Sequence, residues 1–247
     1  MMAAETMRIP ERFMGPPGSA QGGYTCGLVA GLLGDGAAEV SLRTPPPLER
    51  DLTVERAGDG LTVSDGETVV AEGRAAELHL DVPEPVDAET AAAASRAGEE
   101  RWTAVHPFDT CVVCGPGRAP GDGFRLFPGA VPGRPGLFAA VWTPDASLAD
   151  GGVVLPECVW AALDCPTAAP VANFGDGPPG VLARLTASLD APVVPERAHV
   201  VISWGLGVDG RKRHGAAALF SPDGKRVAQS RALWIELRAQ PPGSTSG

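Results

Sequence analysis

Two segments of the chain share one pattern, and this repeat constrains the fold more than any other feature of the sequence. Residues 65–78 and 223–237 both begin with Asp-Gly, continue through an apolar run to Arg-Ala, and finish with apolar residues. Asp-Gly favours a hairpin turn, because glycine adopts a positive φ without strain. The copies lie more than a hundred residues apart in a chain of 247, which is too far for a solenoid repeat. They predict two copies of one small domain in tandem.

A helix followed by strands is predicted in each half. Tyr24, Leu28 and Leu32 recur at helical spacing. Residues 155–167 predict the second helix, which Pro166 ends or kinks. Alternating apolar residues predict antiparallel strands. These cover residues 39–43, 52–55, 61–63 and 69–80 in the first half, and residues 123–127, 137–142, 181–189, 199–204, 215–220 and 227–237 in the second.

The first predicted helix carries small residues four apart, Gly27 and Gly31. Residues at this spacing share one face of a helix. They leave a flat strip, so we expect that another backbone could lie close to this helix.

The predicted units are residues 1–98 and 123–238. An Ala/Glu-rich segment at residues 88–102, predicted as a short helix, leads into a linker at residues 99–122 that contains a Cys-x-x-Cys motif. Residues 239–247 are rich in Pro, Gly and Ser and are predicted to form a disordered tail.

Charge and composition exclude several functions. The net charge is −10, with 18 acidic and seven basic residues in the first hundred positions, so a general nucleic-acid binder is not expected. No apolar run approaches the ~20 residues of a membrane span, and no secretory signal is visible at the start. Five cysteines, an odd number, favour a reducing cytoplasm over a disulfide scaffold.

Two short motifs carry a family resemblance. Gln21-Gly22-Gly23-Tyr24 resembles the start of thioesterase hotdog helices, and residues 159–164 (Val-Trp-Ala-Ala-Leu-Asp) resemble the second helix of acyl-CoA thioesterase-like double-hotdog proteins. The resemblance covers roughly residues 20–80 and 123–237. It implies an α+β fold, a tandem hotdog in which each antiparallel sheet wraps around one long helix. It also implies a pocket between the units, an acyl-CoA or related thioester as partner, and a possible homodimer.

Thioester hydrolysis needs a polarised carbonyl and an activated water, and the resemblance suggests residues for both. Gly22 and Gly23 would hold the thioester oxygen with helix N-terminal amides, and Gln21 is a possible side-chain donor. The alternative is that the glycines only permit a tight entry into a buried helix. Asp164 is the candidate general base. The alternative is a helix-end residue that bonds a neighbouring backbone group.

Other residues are candidates for substrate binding. Tyr24 and Trp160 belong to the two motif helices, although tryptophans at such positions are more often core residues. Glu157 either faces the helix dipole or lines the same pocket. The basic segment Arg211-Lys212-Arg213 could meet the phosphates of coenzyme A. The alternative is a solvated hairpin tip.

The motif Cys111-x-x-Cys114 has the shape of half a zinc site. His106, Cys158 and Cys165 could complete it only through the fold. A redox pair and two ordinary buried cysteines are the alternatives, and the last is favoured. No metal and no cofactor are therefore assigned.

The function predicted from the sequence is hydrolysis of acyl-CoA or acyl-carrier thioesters. Many active relatives carry His or Asn where this chain has Gln21. A non-catalytic protein that binds acyl groups on the same fold therefore remains the alternative. A hydratase is disfavoured, because no Asp and His occur at the helical spacing that such chemistry uses.

Overall fold

The computed structural model describes residues 5–171 and 179–238. The predicted tail at residues 239–247 lies outside this range. The helices are α1 (Gly22–Gly31), α2 (Ala88–Val105), α3 (Pro156–Ala162) and α4 (Cys165–Ala168). The strands are β1 (Glu5–Met7), β2 (Ala38–Leu42), β3 (Leu52–Ala57), β4 (Gly60–Asp65), β5 (Thr68–Ala75), β6 (Gly129–Ala130), β7 (Leu137–Trp142), β8 (Ala149–Asp150), β9 (Val153–Val154), β10 (Gly180–Leu189), β11 (His199–Asp209), β12 (Lys212–Phe220) and β13 (Arg226–Glu236).

Eleven of these strands form one antiparallel sheet in the order β1-β3-β4-β5-β2-β10-β13-β12-β11-β7-β6. The N-terminal and C-terminal strands meet where β2 pairs with β10, and Val40 lies opposite Leu185 there. Both side chains are fully buried. The remaining strands, β8 and β9, form a separate hairpin.

The two Asp-Gly segments occupy corresponding places in this sheet. Gly66 turns β4 into β5 and Gly224 turns β12 into β13, with φ of 60° and 79°. Strand β5 pairs with β2, and β13 pairs with β10. The repeated sequence therefore forms, in each half, the strand next to the one at the junction.

Helices α1 and α3 approach each other at backbone distance, and glycine permits this. A Cβ added at Gly23 would lie 2.4 Å from Cβ of Asp164, and one added at Gly27 would lie 2.5 Å from Cα of Glu157. Nothing lies within 4 Å of a Cβ added at Gly31. The predicted flat strip exists, but it is formed by Gly23 and Gly27, because these face α3.

The second predicted helix is interrupted. Residues 155–167 form α3 and α4 with a break at Leu163 and Asp164. Pro166 lies in the first turn of α4, a position that proline tolerates because the N–H it lacks has no helical partner there. The prediction that this helix ends or kinks is confirmed, and the break lies two residues before the proline.

The strand predicted at residues 123–127 is wrong. This segment is irregular, Arg125 has φ 51°, and β7 pairs instead with β6. The N–H groups of Phe124 and Leu126 donate to the carbonyls of Val112 and Val113, at 2.7 and 2.9 Å. The segment therefore holds the Cys-x-x-Cys loop.

Helix α2 is longer than predicted and covers the outer strands of the C-terminal half. Asp87 caps it by accepting from the N–H of Thr90 at 2.7 Å, and it packs on β6, β7 and β11. Residues 98 and 99, the predicted boundary, lie inside it. Within the described ranges, no helix has the length and apolar character to cross a membrane.

Candidate active site and an adjoining cysteine cluster

The break between α3 and α4 is held open by strand β13. Ser230 Oγ donates to the carbonyl of Leu163 at 2.9 Å. Thr167 Oγ1 donates to the carbonyl of Asp164 at 2.6 Å and accepts from Trp234 Nε1 at 2.8 Å. Ser230 thereby pairs the Leu163 carbonyl at the end of α3, and the Asp164 carbonyl accepts from the Thr167 N–H at 2.9 Å as well as from its hydroxyl. These bonds fix the backbone on both sides of the Asp164 side chain.

The Asp164 carboxylate meets the start of α1. Its Oδ2 accepts from the Gly23 N–H at 2.8 Å and from Gln21 Nε2 at 2.5 Å. The Gln21 Oε1 accepts from the Tyr24 N–H at 2.6 Å, so Gln21 caps α1. Among the described residues, no hydrogen-bond partner reaches the buried Oδ1 of Asp164. One carboxylate oxygen is therefore fixed, and the other is available to accept a proton.

Burial controls the electrostatics of this carboxylate. The pKa of Asp164 is raised to about 8, chiefly by desolvation and also by the nearby Cys111, while the hydrogen bonds from Gly23 and Gln21 act in the opposite direction. Once ionised, such a carboxylate is a stronger proton acceptor than an exposed one.

A cavity of about 540 Å³ opens beside these residues, a size typical of small-molecule sites. One wall carries Gln21, Gly22 and Asp164. The rest is largely apolar and includes Leu42, Val181, Leu182, Trp234 and Ile235. The cavity thus places a carboxylate and a helix N-terminus at one end of an apolar chamber.

Not all of the residues predicted from the sequence lie on this wall. Gly23 is absent from the cavity lining, and its N–H is already bonded to Asp164. The ring of Tyr24 stacks on Phe13 at 3.7 Å between centroids. Trp160 is buried and its carbonyl faces Gly23. Glu157 lies against Gly27. Trp160 and Glu157 therefore belong to the contact between α1 and α3, and the Tyr24 ring packs on the segment before α1.

The basic segment lies at the tip of the β11–β12 hairpin, outside the cavity lining. Lys212 is in register with Ile235, which does line the cavity. Arg211 donates to the carbonyl of Glu236 at 2.9 Å, and Arg213 forms an ion pair with the Glu236 carboxylate. The tip is therefore next to one rim of the cavity, with its arginines directed to β13.

Three cysteines adjoin the carboxylate on the same cavity wall. The sulfur of Cys111 lies 3.5 Å from that of Cys114 and 3.9 Å from that of Cys165. All three sulfurs lie within 4.8 Å of one another, are buried and are free thiols. The sequence motif identified two of them. Cys165 is distant in sequence and joins them because the break after α3 turns it towards the linker.

His106 adjoins this cluster through its imidazole. Its Nδ1 accepts from the Phe108 N–H at 2.9 Å, and its Nε2 lies 3.2 Å from the sulfur of Cys114. Burial lowers the pKa of His106, which favours the neutral ring. Because Nδ1 is an acceptor, the neutral ring carries its proton on Nε2 and donates to the sulfur.

The two other cysteines lie apart from the cluster. Cys26 is fully buried in α1, and burial raises the pKa of its thiol well above the usual value. Burial also raises the pKa of Cys158 to about 12. Thiols in such surroundings are inert, so Cys26 and Cys158 are core residues.

The chain is similar in structure to an acyl-CoA thioesterase II, TesB2, from Mycobacterium marinum (11% identity, TM-score 0.56, 92% of this chain and 93% of that chain covered). It is also similar to the tesB protein of Mycobacterium avium subsp. paratuberculosis (14% identity, TM-score 0.59, 94% and 91% covered). A third is a conserved protein of unknown function with a hotdog fold from Alicyclobacillus acidocaldarius (10% identity, TM-score 0.50, 95% and 93% covered).

No protein-family model and no curated protein matches the sequence. The likeness to the solved structures extends over nearly the whole chain at low identity, which is evidence of a shared fold. It confirms the resemblance drawn from the sequence motifs: this chain has the mixed α+β hotdog fold found in acyl-CoA thioesterase-like proteins.

Proposed function

We propose that the protein hydrolyses acyl thioesters, with acyl-CoA or an acyl-carrier thioester as substrate. The observation that carries the proposal is the Asp164 carboxylate on the cavity wall. Its Oδ2 is held by Gln21 and Gly23, and its Oδ1 is unpartnered among the described residues. In the proposal, this second oxygen is the acceptor for a proton from a water that enters from the cavity. The apolar remainder of the cavity suits an acyl chain.

In the proposed reaction, Asp164 Oδ1 accepts a proton from water as the water oxygen attacks the thioester carbonyl. Gly22 lies at the start of α1 and lines the cavity. Its N–H has no partner within the helix and would donate to the developing oxyanion. When the tetrahedral intermediate collapses, the carbon–sulfur bond breaks. The proton passes from Asp164 to the leaving sulfur, so the products are a carboxylic acid and a thiol.

Gln21 has a positioning role in this proposal. Its amide donates to Asp164 and its carbonyl accepts from the Tyr24 N–H, so one side chain ties the base to the helix that supplies the oxyanion donor. It does not need to touch the substrate. A positioning role accounts for Gln21 at the place where many active members of the resembled family carry His or Asn.

We also infer that the sheet is a tandem hotdog. Corresponding strand orders on the two sides of the β2–β10 pair support this arrangement, as does the place of the two Asp-Gly segments. The units would be residues 1–98 and 123–238, related by an internal duplication. The cavity then lies where the two units meet. Five free cysteines fit a reducing cytoplasm.

The test is a thiol-release assay with the full chain over acyl-CoA substrates of increasing acyl length. Turnover that depends on acyl length and is lost in Asp164→Asn supports the proposal. If no substrate is hydrolysed while acyl-CoA still raises the melting temperature, the protein binds acyl groups without hydrolysing them. The sequence-based alternative then replaces the proposal.

A further inference from the structure

The three clustered sulfurs have the spacing of a metal site. Thiolates about 2.3 Å from a tetrahedral zinc ion lie about 3.8 Å from one another. The distances from Cys111 to Cys114 and Cys165 are 3.5 and 3.9 Å, on either side of that value. A disulfide would require about 2.05 Å, so no pair of these sulfurs is bonded, and all three lie within 4.8 Å of one another.

Two of the three sulfurs have a side-chain N–H group directed at them, and the third, Cys111, contacts both other sulfurs. Cys114 has Nε2 of His106 at 3.2 Å, and Cys165 has Nε2 of Gln21 at 3.7 Å. N–H donors around sulfur stabilise thiolates and are the usual surroundings of metal-bound cysteine. Cysteines that serve only as apolar filling have no need of them.

The loop that carries two of the cysteines is held rigidly before any ion binds. The N–H of Gly115 donates to the carbonyl of Cys111 at 2.8 Å, and a Cβ at Gly115 would lie 2.2 Å from the carbonyl oxygen of Asp109. Only glycine fits this turn. The N–H of Val112 donates to the carbonyl of Met14 at 2.8 Å. The ligands are thus pre-positioned, which lowers the entropic cost of binding.

We propose that Cys111, Cys114 and Cys165 bind one thiolate-preferring divalent metal ion, zinc in the cell. Soft sulfur ligands in tetrahedral arrangement select zinc over the hard cations. The three cysteines line the cavity, so the fourth position belongs to water or to a group that enters from the cavity. His106 stays outside the coordination sphere and donates from Nε2 to Cys114. On binding, each thiol releases its proton to solvent.

This ion would connect two parts of the chain that are separate in sequence. Cys111 and Cys114 belong to the predicted linker, and Cys165 begins α4 directly after Asp164. The ion would therefore fix the loop against the helix break that presents the carboxylate. The proposal does not depend on thioester hydrolysis, because metal binding can be measured without turnover.

The first experiment measures metal in the wild-type full chain. The protein is purified with a thiol reductant from zinc-supplemented medium, and its metal content is determined by mass spectrometry. We expect about one zinc ion per chain. The zinc-free protein is then titrated with Co²⁺. A near-ultraviolet sulfur-to-cobalt charge-transfer band and visible bands of tetrahedral cobalt are expected.

The second experiment assigns the ligands. Cys111→Ser, Cys114→Ser and Cys165→Ser should each lower zinc affinity by more than the roughly 10–100-fold loss typical of outer-shell changes. His106→Gln should cause only such an outer-shell loss and should keep the cobalt spectrum. Cys158→Ala is the matched control, since Cys158 is equally buried but lies outside the cluster. It should bind zinc as the wild type does.

Two outcomes overturn the proposal. In the first, wild-type protein takes up no stoichiometric zinc and gives no cobalt charge-transfer band. In the second, Cys111 and Cys114 form a disulfide on mild oxidation while the reduced protein still binds no metal, which would assign a redox pair. Wild-type metal content decides the matter even if a serine variant fails to fold.

Discussion

The two helices that meet at the cavity differ in a way that explains the site. Helix α1 runs unbroken for ten residues and begins at the Gln21 cap. Its counterpart before β10 is divided into α3 and α4, and Asp164 lies at the division. The unbroken helix contributes amide donors from its N-terminus. The divided helix contributes a carboxylate and a thiol from its break. Two similar helices therefore supply complementary chemistry because only one of them is interrupted.

The close packing of α1 against α3 brings these complementary groups together. Gly23 and Gly27 let α3 approach α1 at backbone distance, which brings the Asp164 carboxylate within hydrogen-bonding distance of the Gly23 N–H. A larger residue on either side would separate donor from acceptor.

Replacing the carboxylate of the divided helix should have the largest effect on activity. We expect Asp164→Asn to lower kcat by about 10²–10⁴-fold, since a positioned general base contributes that much, with a smaller change in KM. Thiol release from the preferred acyl-CoA measures this. Asp150→Asn, at an exposed aspartate in β8, is the control. Equal kcat values for wild type and Asp164→Asn would remove Asp164 from the reaction.

Filling the glycine strip of the unbroken helix should affect stability next. A Cβ at position 23 would lie 2.4 Å from Cβ of Asp164 and 2.9 Å from the Trp160 carbonyl oxygen. Gly23→Ala should therefore lower the free energy of unfolding by about 3 kcal/mol, the upper end of typical overpacking costs.

Gly31→Ala is the matched change in the same helix, because nothing lies within 4 Å of a Cβ there. It should leave stability unchanged or raise it by up to about 1 kcal/mol. Urea unfolding of the three proteins measures both effects. Equal losses in the two variants would mean that α1 and α3 do not pack through the glycine strip.

Loosening the helix break should have a smaller effect. Ser230→Ala removes the donor to the Leu163 carbonyl and leaves a buried acceptor unpaired, which should cost about 1 kcal/mol. It should also lower kcat, because the break presents Asp164. Ser188→Ala, whose hydroxyl contacts Asp190 near the surface, is the control. A loss of stability with unchanged kcat would show that the break does not need Ser230 to position Asp164.

Removing charge from the β11–β12 tip should have the smallest effect. Lys212→Ala should raise KM for acyl-CoA by about 2–5-fold, as expected for an exposed charge pair worth about 0.5–1 kcal/mol. This increase in KM should be greater with acyl-CoA than with a short thioester that lacks phosphates. Added salt should reduce the increase seen with acyl-CoA. Lys225→Ala, at the opposite hairpin tip, is the control. An equal increase with both substrates would contradict a contact with phosphate.

Local signals in the sequence predicted much of the fold. Asp65-Gly66 and Asp223-Gly224 form the turns expected of them, and the helix beginning after Gln21 is present. Residues 123–127 show the limit of such signals. Their alternating pattern suggested a strand, but hydrogen bonds to the cysteine loop determine their conformation, and no periodicity within the segment reveals these.

The candidate site was likewise predictable only where a local motif names the residue. Gln21, Gly22 and Asp164 lie on the cavity wall as expected, since motifs identified them. Tyr24 and Trp160 belong to the same motifs, but Tyr24 stacks on Phe13 and Trp160 packs against Gly23 of α1. Which side of a helix faces a cavity depends on what its neighbours cover, and the motif does not include those neighbours.

By itself, the sequence determined the local elements: the caps, the turns and the alternation that specify helices and strands over a few residues. Only the tertiary structure decided which elements meet. It paired β2 with β10, brought Gly23 against Asp164, and placed Cys165 beside Cys111 and Cys114. The physical reason is the distance along the chain over which each interaction acts. Backbone propensities act between near neighbours in the chain, whereas burial and packing join residues that the sequence separates by many positions.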